Sequence, residues 1–187
     1  TKTKLLHIST DEVYGSIRNG SNHEGSNLNP KNPYSATKAS AEHLIRAYAN
    51  TYGVEYIIVR PSNNFGPRQH SEKFLPTIVK ALKQGNKIPV YGDGSNIRDW
   101  LYVKDNVSAI YHILKNSETN ETYNITTKKE LTNLQICREV CKHLNKNPDK
   151  SIQFVPDRLG HDFRYSITND KLKNLGFETE TYFDNAL

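Results

Sequence analysis

Ser9-Thr-Asp-Glu-Val-Tyr-Gly15, followed by Asn32-Pro-Tyr-Ser-Ala-Thr-Lys38, is the stretch of sequence that decides the fold. The first segment comes directly after a short apolar run at residues 4–9, which predicts a buried strand. The second opens the strongest helical pattern in the chain, at residues 34–52, and Gly53 ends it. A strand that leads through a polar loop into a long helix is the first unit of an α/β fold.

The remainder of the chain continues the same alternation. Strand-like runs lie at residues 54–60, 88–91, 97–103, 122–126 and 152–155, and Pro61 stops the first of them. Helical patterns lie at residues 75–83, 105–115, 133–144 and 169–175. Alternating strands and helices predict an α/β architecture with a largely parallel sheet.

Composition excludes several classes of function. The net charge is +5, but Lys and Arg are scattered rather than clustered, so we predict no nucleic-acid binding. No apolar run approaches the ~20 residues of a membrane helix, so we predict no membrane span. Cys137 and Cys141 have no His partners at ligand spacing, which predicts no metal site and two buried thiols in a reducing cytoplasm.

One expected motif is missing from the 187 residues. A dinucleotide-binding α/β protein needs a Gly-rich turn of the G-x-G-x-x-G type, and Gly92-Asp-Gly94, the nearest approach, reads as a simple turn. The chain begins with Thr1 and contains no Met. We therefore expect it to be a segment of a longer protein, and we expect this segment alone neither to hold a dinucleotide tightly nor to be active.

Tyr34 and Lys38 are the first candidates for chemistry. Residues at i and i+4 lie on one helix face, and an ammonium there lowers the pKa of the tyrosine, which makes it a base for a hydroxyl group. About one such pair is expected by chance in a chain with this composition. Tyr111 and Lys115 form a second match, which we interpret as part of an ordinary amphipathic helix.

Asp11 and Glu12 are the second candidates. Adjacent carboxylates on a strand point to opposite faces, so the chain must leave strand geometry here for both to serve one site. Their mutual repulsion favours one protonated and one ionised carboxyl, which supplies an acid and a base. By spacing alone, a solvated acidic turn or a helix cap is the more common interpretation.

The combination of these segments resembles the extended short-chain dehydrogenase/reductase superfamily, and within it the dTDP-glucose 4,6-dehydratases. The resemblance extends from His7 almost to Leu187, with further matching segments at residues 62–67, 72–76, 89–94, 97–103, 123–125 and 157–161. It implies a Rossmann-like doubly wound parallel sheet, without its N-terminal fingerprint half, and a smaller C-terminal α/β substrate-binding lobe. Residues 1–65 would belong to the NAD-binding domain. Residues 66–187 would form mainly the substrate lobe, with segments that return to the Rossmann core.

The resemblance also implies a reaction. Tyr34 would deprotonate the glucose C4 hydroxyl while NAD⁺ takes the C4 hydride. Glu12 would then remove the C5 proton, Asp11 would protonate the departing C6 hydroxyl, and the hydride would return to C6. Thr10 would hydrogen-bond the C4 oxygen.

Further residues receive binding roles by the same resemblance. Tyr34, Lys38 and Asn64 would contact NAD. Arg98 and Arg158 suit a diphosphate because a guanidinium donates in a bidentate fork, although surface ion pairs are the ordinary role of such residues. The nucleotide sugar would be bound by Thr10, Asn63, Lys73, Phe74, Pro89, Val90, Tyr91, Arg98, Asn133, Asp157, Arg158 and His161.

The resemblance further implies a cytoplasmic homodimer that is joined through the helix at residues 34–52. Three alternatives stay open at this point. The first is UDP-glucose rather than dTDP-glucose as substrate, and the second is a nucleotide-sugar 4-epimerase, which needs no acid–base pair for water loss. The third is a non-catalytic segment that binds a nucleotide sugar.

Overall fold

The computed structural model describes residues 3–157 and 160–187. The strands within these residues are β1 (Leu5–Ile8), β2 (Tyr56–Pro61), β3 (Asn63–Phe65), β4 (Ile88–Tyr91), β5 (Ile97–Tyr102), β6 (Glu121–Ile125), β7 (Glu130–Thr132) and β8 (Ile152–Val155). The α-helices are α1 (Pro33–Tyr52), α2 (Phe74–Lys83), α3 (Val103–Asn116), α4 (Asn133–His143), α5 (Pro148–Ser151) and α6 (Asp170–Asn174). None of the described helices is long and apolar enough to cross a membrane.

The main sheet has the strand order β1-β2-β6 and is parallel throughout. Helix α1 contacts β2, and α3 and α6 also pack on this sheet, against β2 and β6. Smaller sheets follow: β5 lies between parallel β3 and antiparallel β7, and β4 pairs in parallel with β8. These features confirm the predicted α/β fold with a largely parallel, doubly wound sheet.

The two faces of the main sheet differ in chemistry because successive side chains of a strand alternate between faces. Ile57 and Val59 of β2 join an apolar core with α3. Arg60 of the same strand points to the opposite face and meets Glu42 of α1. The sheet is therefore apolar towards α3 and partly polar towards α1.

A buried ion pair lies on this polar face. The Glu42 side chain is 0% exposed and that of Arg60 is 2% exposed, and Nε of Arg60 donates to Oε1 of Glu42 at 2.9 Å. Arg60 also donates through Nη2 to Glu42 and through Nη1 to the Tyr14 hydroxyl. Ser9 donates its hydroxyl to Oε1 of Glu42 at 2.6 Å. The pair thus connects α1, β2 and the segment that follows β1.

Helix α1 has strong signals at both ends. Asn32 is its N-cap and forms a reciprocal capping box with Ser35, while Pro33 occupies the first turn, where its missing N–H is harmless. Gly53 ends the helix with φ of 68°, a left-handed conformation that glycine adopts without strain. The predicted helix at residues 34–52 is confirmed.

A second hydrophobic core lies between α2, α4 and the smaller strands. Phe65, Ile88 and Trp100 contribute to it, together with Cys137 and Cys141. Both cysteines are free and buried, and burial raises the pKa of the Cys137 thiol to about 12. The predicted buried thiols are confirmed.

Several short elements differ from the sequence-based prediction. Strand β2 ends at Pro61, as predicted, but it includes this proline as its last residue. Strands β3 and β7 and helix α5 lie where loops were expected, because three or four residues carry too short a pattern to detect. The chain also changes from β5 to α3 at Val103, two residues before the predicted helix start.

Glu42→Gln is expected to lower the free energy of unfolding by about 3–5 kcal/mol, because it leaves the buried guanidinium of Arg60 without a compensating charge. Glu178→Gln is the matched control. It breaks the solvent-exposed pair between Lys173 and Glu178, at 2.7 Å, and should lower the free energy of unfolding far less, because water and salt screen an exposed pair. Urea denaturation of both variants tests this, and equal losses would contradict the importance of the buried pair.

Candidate active site

The segment that follows β1 forms a 3₁₀ helix at Asp11–Tyr14. Thr10 precedes it in extended conformation and accepts a hydrogen bond from the Glu12 N–H through its side chain. Asp11 is buried and Glu12 is half-buried. The chain thus leaves strand geometry at the carboxyl end of β1, as predicted, and both carboxyls line one cavity.

Three adjoining cavities form the candidate site, and Asn63 lines all of them. The tyrosine-side cavity, about 420 Å³, contains Tyr34, Thr10 and Asp11. The central cavity, about 510 Å³, shares Glu12 with the tyrosine-side cavity and Arg98 with the third cavity. The aromatic cavity, about 300 Å³, lies between α2, β4 and the start of α4. Cavities in this size range accommodate small molecules and cofactors.

Most of the residues predicted for the site line these cavities. They are Thr10, Asp11, Glu12, Tyr34, Asn63, Asn64, Lys73, Phe74, Pro89, Val90, Tyr91, Arg98, Asn133 and His161. Asp157 contacts the site indirectly, because Oδ1 of its carboxylate is 2.7 Å from Nδ1 of His161. Lys38 lies beside the tyrosine-side cavity, and Arg158 lies outside the described residues.

Asp11 is the most strongly perturbed acid of the site. Burial raises its pKa from 3.8 to about 7, and the negative charges of Glu12 and Asp99 act in the same direction. Its Oδ1 accepts a hydrogen bond from Thr10 at 3.3 Å, while Oδ2 has no hydrogen-bond partner among the described residues. A pKa of about 7 means that a large fraction of Asp11 is protonated near neutral pH, which agrees with the prediction of one protonated carboxyl in the pair.

The pKa of Tyr34 is not lowered, contrary to the effect predicted for Lys38. Burial raises the pKa of Tyr34, and the negative charges of Glu12 and Asp11 raise it further, against a hydrogen bond with Thr10 that lowers it. The Lys38 amino group instead donates to the backbone carbonyl of Ile8 at 2.8 Å. The prediction of a tyrosine pKa lowered by lysine was wrong for this structure, because burial and the two carboxylates disfavour the phenolate.

Three amides beside Tyr34 leave hydrogen-bonding capacity unused. The Oδ1 atoms of Asn63 and Asn64 and Oε1 of Gln69 are buried and have no partner among the described residues. Asn64 is oriented by its Nδ2, which donates to the Ser62 carbonyl at 3.0 Å. Buried carbonyl oxygens without donors are costly, so these atoms fit a ligand that brings N–H or O–H groups.

Arg98 is fixed by the backbone. Its Nη1 donates to the carbonyls of Ile97 and Phe163, and its Nη2 donates to the carbonyl of Asp162 at 2.8 Å. The guanidinium also lies over the Tyr165 ring at 4.5 Å. Three of its five N–H donors are therefore engaged, and the predicted fork towards a diphosphate has only the remaining two.

Sequence reasoning missed several cavity residues, namely Asn32, Gln69, Glu72, Asp162 and Tyr165. Asn32 carried a signal, because an Asn before Pro at a helix start is a typical N-cap. Asp162 and Tyr165 carried no signal in the sequence. Tyr165 is 153 positions from Glu12, and only the tertiary fold brings the two residues together.

The fold places the chain in the class of α/β proteins with a short-chain dehydrogenase/reductase fold. The family model described as GDP-mannose 4,6 dehydratase matches residues 1–187, and the chain belongs to that family.

Individual relatives agree with this assignment. The low-salt glycan biosynthesis protein Agl12 of Haloferax volcanii is 46% identical over 98% of this chain and 59% of its own length. The trifunctional UDP-glucose 4,6-dehydratase/UDP-4-keto-6-deoxy-D-glucose 3,5-epimerase/UDP-4-keto-L-rhamnose-reductase RHM2 of Arabidopsis thaliana is 42% identical over 98% of this chain and 28% of its own length.

Among solved structures, DesIV, the dTDP-glucose 4,6-dehydratase of Streptomyces venezuelae with NAD bound, superimposes with a TM-score of 0.95 at 40% identity. The match covers 98% of this chain and 57% of DesIV. The chain thus spans less than two thirds of the length of these relatives.

The buried carboxyl of Asp11 predicts a loss of stability as the pH rises from about 4 to about 7. In this interval the unfolded chain has lost the proton that folded Asp11 retains, so rising pH favours unfolding. Asp11→Asn mimics the protonated acid and cannot ionise. Relative to the unsubstituted protein, the free energy of unfolding of Asp11→Asn should therefore rise by about 4 kcal/mol across this interval. The pKa of Asp11 changes from 3.8 to about 7, and each unit is worth about 1.4 kcal/mol.

Urea denaturation of both proteins at a series of pH values measures this difference, and a comparison of the two proteins isolates Asp11 from other titrating groups. A difference that stays constant with pH would contradict the raised pKa.

Proposed function

We propose that the protein to which this chain belongs catalyses the NAD-dependent 4,6-dehydration of dTDP-glucose to the 4-keto-6-deoxy sugar, as a hydro-lyase. The observation that carries the proposal is the pair Asp11 and Glu12: one cavity contains a carboxyl whose pKa is raised to about 7, an adjacent carboxyl and Tyr34. Elimination of water needs an acid and a base at once, and this pair supplies both. The name and bound NAD of DesIV support the same reaction.

NAD would be held on the side of the cavity formed by Tyr34, Lys38 and Asn64. The unpaired Oδ1 of Asn64 suits its amide or hydroxyl donors, and Lys38 retains two further N–H donors beside its bond to Ile8. When bound, NAD supplies the reversible acceptance of a hydride. We further propose the division into a cofactor portion at residues 1–65 and a mainly substrate-binding portion at residues 66–187.

The protein's own residues would move the protons. Tyr34 would take the proton of the C4 hydroxyl, while Thr10 hydrogen-bonds the same oxygen. The C4 ketone acidifies the proton on C5, which Glu12 would remove. Asp11 would give its proton to the C6 hydroxyl as the C6–O bond breaks, so that one water leaves. Its raised pKa suits this step, because a proton donor must hold its proton at the working pH.

The nucleotide part of the substrate would occupy the aromatic cavity. Phe74 and Tyr91 offer ring surfaces there, and His161 lies edge-on to Tyr91 at 6.5 Å. Lys73 and Arg98 line the central cavity between this region and Glu12, which is the position of a diphosphate in an extended nucleotide sugar. Asn63, Pro89, Val90, Asn133 and Asp157 would complete the binding surface, with Arg158 as a further predicted contact.

Mass spectrometry tests the proposal. The protein to which this chain belongs is incubated with NAD⁺ and either dTDP-glucose or UDP-glucose. We expect a product lighter by one water, formed faster from dTDP-glucose. Glu12→Gln should retain oxidation at C4 but lose water elimination, because the amide cannot accept the C5 proton.

Other outcomes would support one of the alternative functions. Interconversion at C4 without water loss would indicate an epimerase, and preference for UDP-glucose would reassign the nucleotide. Intact sugar bound without turnover would indicate a non-catalytic binding protein. Unchanged water loss in Glu12→Gln would reject the assigned base.

We also propose that the protein is a cytoplasmic homodimer joined through the helix at residues 34–52. Leu44, Tyr48 and Tyr52 are 60%, 56% and 72% exposed and recur every fourth residue of α1, which supports an apolar contact face. Free buried thiols suit a reducing compartment.

Tyr48→Lys should convert the dimer to a monomer in sedimentation analysis, because it places a charge within the contact face. Phe154→Lys, at an equally exposed position on β8, is the control and should leave the dimer intact. A dimer that persists in Tyr48→Lys would locate the contact elsewhere.

A further inference from the structure

We propose that Asn32 is a positioning residue that fixes the carboxylate of Glu12 relative to Tyr34. The inference rests on the proposed function for its kinetic consequence, and on contacts of the described residues for its structural part. Its basis is that a single side-chain amide binds the helix that carries Tyr34 with one end and the neighbouring carboxylates with the other.

The oxygen of the Asn32 amide caps α1. Its Oδ1 accepts the backbone N–H of Ser35 at 2.9 Å, and the Ser35 hydroxyl accepts the backbone N–H of Asn32 at 3.3 Å. Asn32 therefore has a fixed position relative to the first helical turn, and Tyr34 lies in that turn. A capping box of this kind is rigid because both partners satisfy each other's backbone donors.

The nitrogen of the same amide reaches across the cavity. Nδ2 donates to Oε2 of Glu12 at 3.1 Å and lies 3.4 Å from Oδ2 of Asp162. An amide NH₂ group carries two hydrogens, so it can serve both carboxylates. Because an amide is planar and rigid, the helix cap and the two acceptors cannot move independently.

The charged surroundings of Glu12 explain why a neutral donor is suitable here. Asp11 and Asp162 bring two further carboxyls close to it, while the Tyr165 hydroxyl donates to Asp162 and lies 3.5 Å from Oε2 of Glu12. The Arg98 guanidinium is the nearby cation, stacked on Tyr165. Asn32 adds a hydrogen bond to Glu12 without adding another charge to this set.

The contacts of Asn32 fix the separation between Glu12 and Tyr34. The base and the tyrosine act on neighbouring carbons of one sugar, so their separation must be maintained while the substrate is bound. Asn32 holds Glu12 through Oε2 and Tyr34 through the helix cap. Loss of the amide should therefore affect removal of the C5 proton and spare oxidation at C4, which does not use Glu12.

Asn32→Ser separates the two functions of the residue. Serine caps helices about as well as asparagine, but it cannot reach Glu12 with an amide donor. We expect an unchanged melting temperature, normal reduction of NAD in a single turnover, and water elimination slowed by about 10- to 100-fold, the effect of one hydrogen bond to a charged group.

Asn169→Ser is the matched control. Asn169 also precedes a helix, is buried and donates its amide to a carbonyl, that of Thr126 at 3.0 Å, but it lines none of the three cavities. We expect it to leave the ratio of C4 oxidation to water loss unchanged. Equal effects of the two substitutions on that ratio, or normal water loss in Asn32→Ser, would overturn the proposal.

A measurement without turnover separates this inference from the proposed function. The side-chain amide hydrogens of Asn32 should exchange slowly with solvent, and Glu12→Ala should accelerate their exchange, as followed by NMR. If the unsubstituted protein forms no dehydrated sugar, the proposed reaction is wrong, and the exchange result still decides the contact. Exchange unaffected by Glu12→Ala would refute the positioning role.

Discussion

The buried ion pair between Glu42 and Arg60 is the interaction on which the rest of the structure depends. Burial of two charges is costly, and it is tolerated here because Arg60 donates to both Glu42 oxygens and to Tyr14, and Ser9 donates to Glu42. The pair orients α1 on the sheet and fixes the chain on either side of Thr10. The helix that carries Tyr34 and the turn that carries both carboxyls therefore share one polar support.

This support allows burial to differentiate two adjacent carboxyls. Asp11 is buried, which raises its pKa to about 7, whereas Glu12 faces the cavity beside Asn32 and Tyr165. The 3₁₀ helix makes this possible, because a regular strand would have sent the two side chains to opposite faces. Two adjacent carboxyls in different environments thus result from local backbone geometry combined with unequal burial.

Long and strongly patterned elements could be predicted, whereas short elements and electrostatic effects could not. Helix α1 has a capping Asn, a Pro and a terminal Gly, so its limits follow from local chemistry. Strands β3 and β7 gain their hydrogen bonds from β5, a partner that is distant in the chain. The pKa of Tyr34 depends on Glu12 and on burial rather than on Lys38, and spacing along a helix contains no information on either.

The sequence by itself determined the alternating α/β order, the family and the candidate residues Asp11, Glu12 and Tyr34, because these depend on local periodicity and on a contiguous motif. Only the tertiary structure decided that burial raises the pKa of Asp11 and that Asp162 and Tyr165 lie against Glu12. It also decided that Asn32 serves both a helix and a carboxylate. These properties depend on burial and on contacts between distant segments, and such contacts exist only when the chain is folded.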